Sequence, residues 1–195
     1  MGLMVHSLEN IPETKNRDYF IYLLDYGWTE PISKVLRENF ENMSKFAATN
    51  RAVVIKGTEL AHFENEVFSW HKINNENADD LLPAMLITNT HPRYFREHLG
   101  KWKTSGQLRS DEHDQMKLIL IPFKKFCSSP TEAISLINKV FNDIINQRDL
   151  SEFKIAKEMK KGIGQAIVNS IILEPNFNGI GFSFEKLLKY LKDGG

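Results

Sequence analysis

The sequence predicts an α/β protein with a mainly parallel central sheet of four to five strands flanked by helices. Short apolar runs rich in aromatic and β-branched residues, typical of strands buried on both faces, recur along the chain. Between them lie longer segments whose apolar residues recur every three or four positions, as in amphipathic helices. Strands that alternate with helices indicate a largely parallel sheet covered on both faces.

The first predicted strand is followed by a long helix. Residues 19–25 (YFIYLLD) form a continuous apolar run, which Gly27 interrupts. Thr29 then stands where a helix N-cap belongs, and Pro31 falls in the first turn. Because apolar residues recur at helical spacing from there to about Asn50, we expect one long amphipathic helix.

A second strand and helix follow directly. Residues 52–56 (AVVIK) have the pattern of a buried strand that stops at Gly57. Thr58 can cap a helix whose apolar residues extend to Trp70. The polar residues 74–80 (NNENADD) predict a loop.

Two more strands are predicted, and each contains or follows a proline. Pro83 leads into residues 84–88 (AMLIT), after which a short helix is expected to end near Leu99. Residues 117–123 (KLILIPF) predict a fourth strand, in which Pro122 must lie at an edge or at a strand end, because proline cannot donate a ladder hydrogen bond.

The remaining chain predicts a helix that begins after Ser128 and Ser129, and then a smaller C-terminal part. We expect residues 1–148 to form the α/β core domain. Residues 149–195 are expected to form a helical extension packed on that core. Within the extension, residues 166–173 have the pattern of a strand or another buried segment.

The predicted order of elements over residues 19–147 resembles the thioredoxin-like fold. In that family a proline, usually cis, precedes the third core strand, and Leu82-Pro83-Ala84 stands in that place. The family's redox cysteines would stand at the start of the first core helix, where residues 27–31 (GWTEP) contain no cysteine. Thiol exchange requires a thiolate, so the resemblance implies a fold without thiol-disulfide oxidoreductase activity.

A Rossmann-like or flavodoxin-like sheet is the competing interpretation of the same elements. Thioredoxin-like proteins join the third and fourth core strands by a tight hairpin. Here residues 89–116 separate the two strands, and a parallel crossover needs only about a dozen residues.

Composition limits the partners of the protein. The chain contains 25 Lys and Arg residues and 25 Asp and Glu residues, so its formal net charge is zero. Residues 1–100 contain 10 basic and 14 acidic residues, and residues 101–195 contain the others, so the two halves carry opposite net charges. This balance disfavours nucleic acid and membranes as partners and is compatible with a protein partner or with a homo-oligomer.

Cys127 is the only cysteine, which excludes an intrachain disulfide and a cysteine-based zinc site. We expect a cytoplasmic location. The six histidines show neither the i, i+4 spacing of a helical zinc pair nor a compact ligand loop, so we expect no metal and no cofactor.

Three residues are the candidates for catalysis or ligand binding. Asp25 follows the first strand, and His91 and Arg93 follow the third. In a parallel sheet both strand ends would lie at the same edge, where open sheets bind their ligands. His91 and Arg93 could then bind a phosphate or carboxylate at a helix N-terminus, although Thr90 could equally be an N-cap and His91 a loop residue.

A basic stripe is the candidate surface for a partner. Lys154, Lys157 and Lys161 share one face of the predicted helix over residues 149–161, where they could meet an acidic protein surface or remain solvated. No catalytic or cofactor-binding signature in the sequence is complete. We therefore expect a non-catalytic accessory or protein-interaction module. The alternative is an enzyme that acts on a phosphate- or carboxylate-bearing small molecule near the strand ends.

Overall fold

A computed structural model describes residues 1–13, 16–27, 30–71, 73, 78–96, 118–146, 150, 153 and 172–173. The strands are β1 (Gly2–Val5), β2 (Tyr19–Leu24), β3 (Ala52–Gly57), β4 (Ala84–Thr88), β5 (Leu118–Pro122) and β6 (Ile172–Leu173). The helices are α1 (Pro31–Glu38), α2 (Phe40–Thr49), α3 (His62–Trp70), α4 (Ala78–Leu81), α5 (Phe123–Phe126) and α6 (Pro130–Ile145). A short 3-10 helix spans Leu8–Asn10, and residues 92–96 are also helical.

The six strands form one mixed sheet in the order β1-β3-β2-β4-β5-β6. Strands β1, β3 and β2 are parallel neighbours. Strand β4 is antiparallel to both β2 and β5, and β6 is antiparallel to β5. The α/β class is therefore confirmed, whereas the prediction of a mainly parallel sheet is wrong. The antiparallel β4 also contradicts the Rossmann-like and flavodoxin-like alternative.

Helices cover both faces of the sheet, and every residue of β2, β4 and β5 is therefore buried. On one face, Ile21, Val54 and Ile119 pack with the apolar sides of α1, α2 and α6. On the other face, Tyr22 and Leu86 pack with α3, the 3-10 helix and Phe95. Burial on both faces explains why these strands are continuous apolar runs without the alternation of a half-exposed strand.

The long helix predicted after β2 is interrupted at Asn39 and forms two helices, α1 and α2. Asn39 has φ −90° and ψ 0°, and it is both the C-cap of α1 and the N-cap of α2. Its Nδ2 donates at 2.9 Å to the carbonyl oxygen of Val35, which also accepts the backbone N–H of Asn39 at 3.1 Å. The apolar spacing continues across the break, so periodicity alone could not reveal it.

Both prolines that mark strands have the expected positions. The Leu82-Pro83 peptide bond is cis and immediately precedes β4. Pro122 is the last residue of β5, which confirms the prediction of a strand end. None of the helices within the described residues has the length and hydropathy needed to cross a membrane.

The C-terminal part of the chain is described at only a few positions. Leu150 and Phe153 are buried in the same core cluster as α6. Strand β6 lies within the segment that the sequence predicted as a strand or buried segment, residues 166–173. The division into a core domain and an extension after residue 148 stays a prediction.

Candidate functional site

A crevice of about 220 Å³ opens at the carboxyl ends of the three parallel strands β1, β3 and β2. Helix α1 supplies Leu36 and Arg37 to its lining, and the first turn of α3 supplies Glu64. The strand ends and loops contribute Met4, Leu23, Asp25, Lys56, Thr58 and Leu60. Because α1 and α3 pack on opposite faces of the sheet, a gap is left between them, and such gaps are where open α/β sheets bind ligands.

Two unusual backbone conformations shape the crevice. Gly27 has φ 77°, a left-handed backbone conformation that favours glycine. Ala61, beside Leu60, has φ 66° and ψ −36°, a strained conformation for a residue with a side chain. Such strain costs on the order of 1–3 kcal/mol and is concentrated at ligand sites and switch regions.

Asp25, one of the predicted candidates, lies in the crevice with both carboxylate oxygens occupied. Its Oδ2 accepts a hydrogen bond from Nη1 of Arg37 at 2.6 Å, and its Oδ1 accepts from the backbone N–H of Gly27 at 3.0 Å. Asp25 is buried, whereas the Arg37 side chain is partly exposed. The pair therefore fixes the loop after β2 against α1.

Glu64 is the second buried carboxyl group of the crevice, and it is only half satisfied. It is 2% exposed, and its Oε1 accepts from the backbone N–H of Asp25 at 3.3 Å. Its Oε2 is buried and has no hydrogen-bond partner among the described residues. Burial raises the pKa of Glu64, and the nearby Asp25 carboxylate raises it further, against the lowering effect of backbone hydrogen bonds.

The two cations that line the crevice interact with other groups. Arg37 is paired with Asp25, and Nζ of Lys56 lies 4.4 Å from the centroid of the Phe40 ring, a cation–π contact. Within the part of the chain that the structure describes, no cation forms an ion pair with Glu64. Glu64 is therefore a buried carboxyl group with no cationic partner among the described residues.

His91 and Arg93 lie at the opposite edge of the sheet from Asp25. Because β4 is antiparallel to β2, Thr88 pairs with Phe20 at the start of β2 and Ala84 pairs with Leu24 at its end. The expectation that Asp25 and His91 share an edge required parallel strands and is wrong.

The side chains at that edge connect the chain after β4 to the N-terminal segment. The His91 ring contacts the Phe20 ring edge-on at 5.3 Å between centroids, and burial lowers the pKa of His91. Arg93 pairs with Glu13, and Arg96 pairs with Glu9. His91 and Arg93 therefore have structural contacts that connect the chain after β4 to β2 and to the N-terminal segment.

A second concavity lies between α2 and α6. This groove, of about 470 Å³, has an apolar floor that includes Met43, Phe46 and Ile137. Its other lining residues include four asparagines: Asn39, Asn42, Asn138 and Asn142. None of the described residues that line it is charged. The sequence pattern does not reveal this groove, because the apolar residues of both helices have the spacing of core-facing residues.

Arg37 and Glu64 are not among the site residues that the sequence predicts. Glu64 carried a usable signal, because it lies three and four residues before Val67 and Phe68, within the apolar stripe of its helix. Arg37 carried none, since it resembles any polar residue on an exposed helix face. The predicted partner-binding residues Lys154, Lys157 and Lys161 lie outside the described residues.

Among the described residues, no group of three or more His, Cys, Asp or Glu side chains is placed to bind a metal ion. Cys127 is a buried free thiol, and burial, reinforced by nearby Glu132, raises its pKa to about 11. Comparisons of the chain with protein-family models, with curated proteins and with solved structures gave no significant match.

Proposed function

We propose that this protein is a non-catalytic protein-interaction module that binds its partner at the crevice formed by β1, β2, β3, α1 and α3. The observation that carries the proposal is the exposure of two large apolar side chains in the crevice lining. Met4 is 58% exposed and Leu60 is 59% exposed, and both line the crevice. Exposed apolar side chains around a concavity are typical of interaction sites.

We also propose that the scaffold is thioredoxin-like and has lost the redox chemistry of that fold. Three features support this proposal: the mixed order β1-β3-β2-β4-β5, the antiparallel pairing of β4 with β5, and the cis Leu82-Pro83 bond before β4. Residues 27–31 contain no cysteine, and the lone Cys127 is a buried thiol whose raised pKa disfavours the reactive thiolate. A reduced lone cysteine also fits the cytoplasmic location that we propose.

An enzyme for anionic substrates is less compatible with the charges of the crevice. A phosphate or carboxylate would meet Asp25 and Glu64. Of the two cations in the lining, Arg37 is paired with Asp25 and Lys56 lies over the Phe40 ring. His91 and Arg93 lie at the other edge of the sheet. These placements favour the interaction module over the enzymatic alternative.

The proposal can be tested by selecting a displayed library of random peptides against the full-length protein. We expect an enriched consensus that binds the wild type, and we expect the double variant Met4→Glu, Leu60→Glu to lose that binding. Ile145→Glu is the matched control, because Ile145 is 49% exposed and lines neither the crevice nor the groove. Failure to enrich any peptide, or equal binding by the double variant, would contradict the proposal.

The lysine stripe can be tested with the same selected peptides. Charge reversal of Lys154, Lys157 and Lys161 to Glu should weaken binding if these residues also meet the partner, as the sequence predicts. Unchanged binding would remove the stripe from the interface and leave the crevice as the binding site.

A further inference from the structure

Strand β1 lies at one edge of the sheet, and no strand within the described residues pairs with its outer side. The unpaired backbone groups of an edge strand can bind another chain, and natural proteins usually protect such edges with charged residues, proline or a bulge. The four residues of β1 (GLMV) include neither a charged residue nor a proline. The sequence of β1 therefore does nothing to prevent the addition of another strand.

The pairing of β1 with β3 shows which backbone groups point to the outer side. The carbonyl oxygen of Val5 accepts a hydrogen bond from the backbone N–H of Thr58 at 2.9 Å, so the backbone groups of Val5 face β3. Because the backbone groups of successive residues in a strand point to alternate sides, those of Met4 and Gly2 face away from β3. None of the described residues forms a hydrogen bond with these outward groups. The backbone of a second strand has the donors and acceptors that match them.

Met4 connects this open edge to the crevice. Its backbone groups point to the outer side of β1, and its side chain, which is 58% exposed, lines the crevice together with Leu36 and Leu60. A strand added beside β1 would lie about 4.8 Å away, so one of its side chains would lie next to Met4 on the same face of the sheet. The crevice volume of about 220 Å³ is below the range of about 300–1,000 Å³ that is typical of small-molecule pockets, and it suits a single apolar side chain.

The position of β1 is fixed by the helices on both faces of the sheet. Val5 is buried in the core cluster that contains α3. On the other face, α2 lies directly against Gly2, where a Cβ atom would be 2.5 Å from Cβ of Ser44. A template that is already in its bound conformation has little ordering entropy to lose when a partner binds.

We propose that an extended segment of the partner protein adds to the sheet as a strand beside β1, with one apolar side chain in the crevice between Met4 and Leu60. This inference rests on the proposed function and deepens it, because it gives the conformation in which the partner binds. In strand addition, main-chain hydrogen bonds supply affinity and pockets for alternate side chains supply specificity. Strand β1 of a second copy is the less suitable occupant, since its exposed side chain, Met4, already lines its own crevice.

The direct test is an N-methyl scan of a peptide that the full-length protein selects, with affinities measured by fluorescence anisotropy. A methyl group on a backbone nitrogen removes a donor and obstructs the approach of the neighbouring strand. Because alternate residues of an added strand face β1, methylation at every second position beside the apolar anchor should weaken binding about tenfold. Methylation at the positions between them should have little effect. Equal effects at adjacent positions, or no effect at any position, would overturn the proposal.

A pair of variants tests the outward backbone donor of Met4. Met4→Pro and Met4→Ala both remove the side chain, but only proline removes the N–H. Since that N–H faces away from β3, proline at this position leaves the pairing with β3 intact. We expect Met4→Pro to bind the selected peptide about fivefold more weakly than Met4→Ala. Equal binding by the two variants would count against strand addition, and if Met4→Pro folds poorly, the N-methyl scan on the wild type still decides.

Amide hydrogen exchange of the ¹⁵N-labelled protein shows whether the edge is free before the partner binds. We expect fast exchange at Met4 and slow exchange at Leu3 and Val5, whose N–H groups face β3. Bound peptide should slow the exchange at Met4 about tenfold. Protection of Met4 that increases with protein concentration in the absence of peptide would show that a second copy occupies the edge, and would contradict the inference.

The outcomes separate this inference from the proposed function. If a peptide binds with dependence on Leu60, but shows no alternation in the N-methyl scan and no protection of Met4, the interaction module stands and strand addition fails. If no peptide is enriched, both proposals fail.

Discussion

At the scale of single residues, the crevice contains two carboxyl groups in contrasting states. Asp25 has a partner for each oxygen, whereas Glu64 has a partner for one. Both are buried next to apolar side chains, where a charge needs compensation. The difference predicts that neutralising Glu64 and breaking the pair of Asp25 will change stability in opposite directions.

The variant Glu64→Gln should stabilise the free protein at neutral pH. Because the pKa of Glu64 is raised in the folded state, the folded protein binds the proton more tightly, and stability falls as the pH rises above the unfolded value of about 4.5. Glutamine removes this loss, so we expect a gain of about 1 kcal/mol at pH 7 and almost none at pH 4. Urea unfolding at the two pH values measures it. A larger gain at pH 4 would show that Glu64 is favourably ionised.

The variant Arg37→Met should destabilise the protein by about 2 kcal/mol, because it leaves the buried Asp25 carboxylate without its cation. Arg51→Met provides the matched comparison, since the Arg51–Asp18 pair has an equally short distance of 2.6 Å but is exposed on both sides. There we expect a loss below about 1 kcal/mol. Equal losses in urea unfolding would mean that burial of Asp25 does not strengthen its pair.

At the scale of elements, α6 is the helix whose start the sequence specifies most clearly. Oγ of Ser129 accepts from the backbone N–H of Glu132 at 3.3 Å, and Oε2 of Glu132 accepts from the backbone N–H of Ser128 at 2.6 Å. Pro130 occupies the first turn, where its missing N–H costs nothing. By contrast, the N-cap of α1, Glu30, makes no side-chain cap bond.

This difference predicts that Ser129→Ala lowers the free energy of unfolding by about 1 kcal/mol, the usual cost of a lost N-cap. Ser128→Ala should be nearly neutral, because Ser128 contributes only its backbone N–H to the cap. Chemical denaturation of the two variants decides the matter. If Ser128→Ala were the more damaging substitution, the assigned cap would be wrong.

At the scale of the whole molecule, the pattern of buried runs predicted four of the six strands that the structure describes, β2 to β5, within one or two residues. Strand β1 was missed because Gly2–Val5 is short and half exposed. The direction of β4 was missed for a different reason. The long connection between β4 and β5 is compatible with either direction, and pairing depends on contacts that no local pattern contains.

Of the crevice residues, the sequence could predict only one that directly follows a strand, because the end of the strand is enough to place it. Asp25 follows directly from the end of β2. Glu64 and Arg37 belong to the site because of the strand order β1-β3-β2. In that order, α1 on one face of the sheet and α3 on the other both border the crevice. His91 was assigned to the same edge by a parallel alignment that the antiparallel β4 contradicts.

The stability of the whole fold should depend on pH through His71. This side chain is buried against Tyr22 and Phe95, and burial lowers its pKa to about 4. The unfolded chain therefore binds the proton first, and stability falls as the pH drops from about 6.5 toward 4. Relative to His71→Phe, the wild type should lose about 2 kcal/mol between pH 7 and pH 5. Parallel losses in both proteins would show that His71 is not buried as a neutral ring.

The most direct test of the central claim is a chemical-shift map of the ¹⁵N-labelled protein bound to a selected peptide. If the crevice is the binding site, the largest shifts will fall at Met4, Gly57, Thr58, Leu60 and Glu64. The amides of His91 and Arg93, at the other edge of the sheet, will remain unchanged. Shifts concentrated at His91 and Arg93, or along the groove between α2 and α6, would contradict the claim.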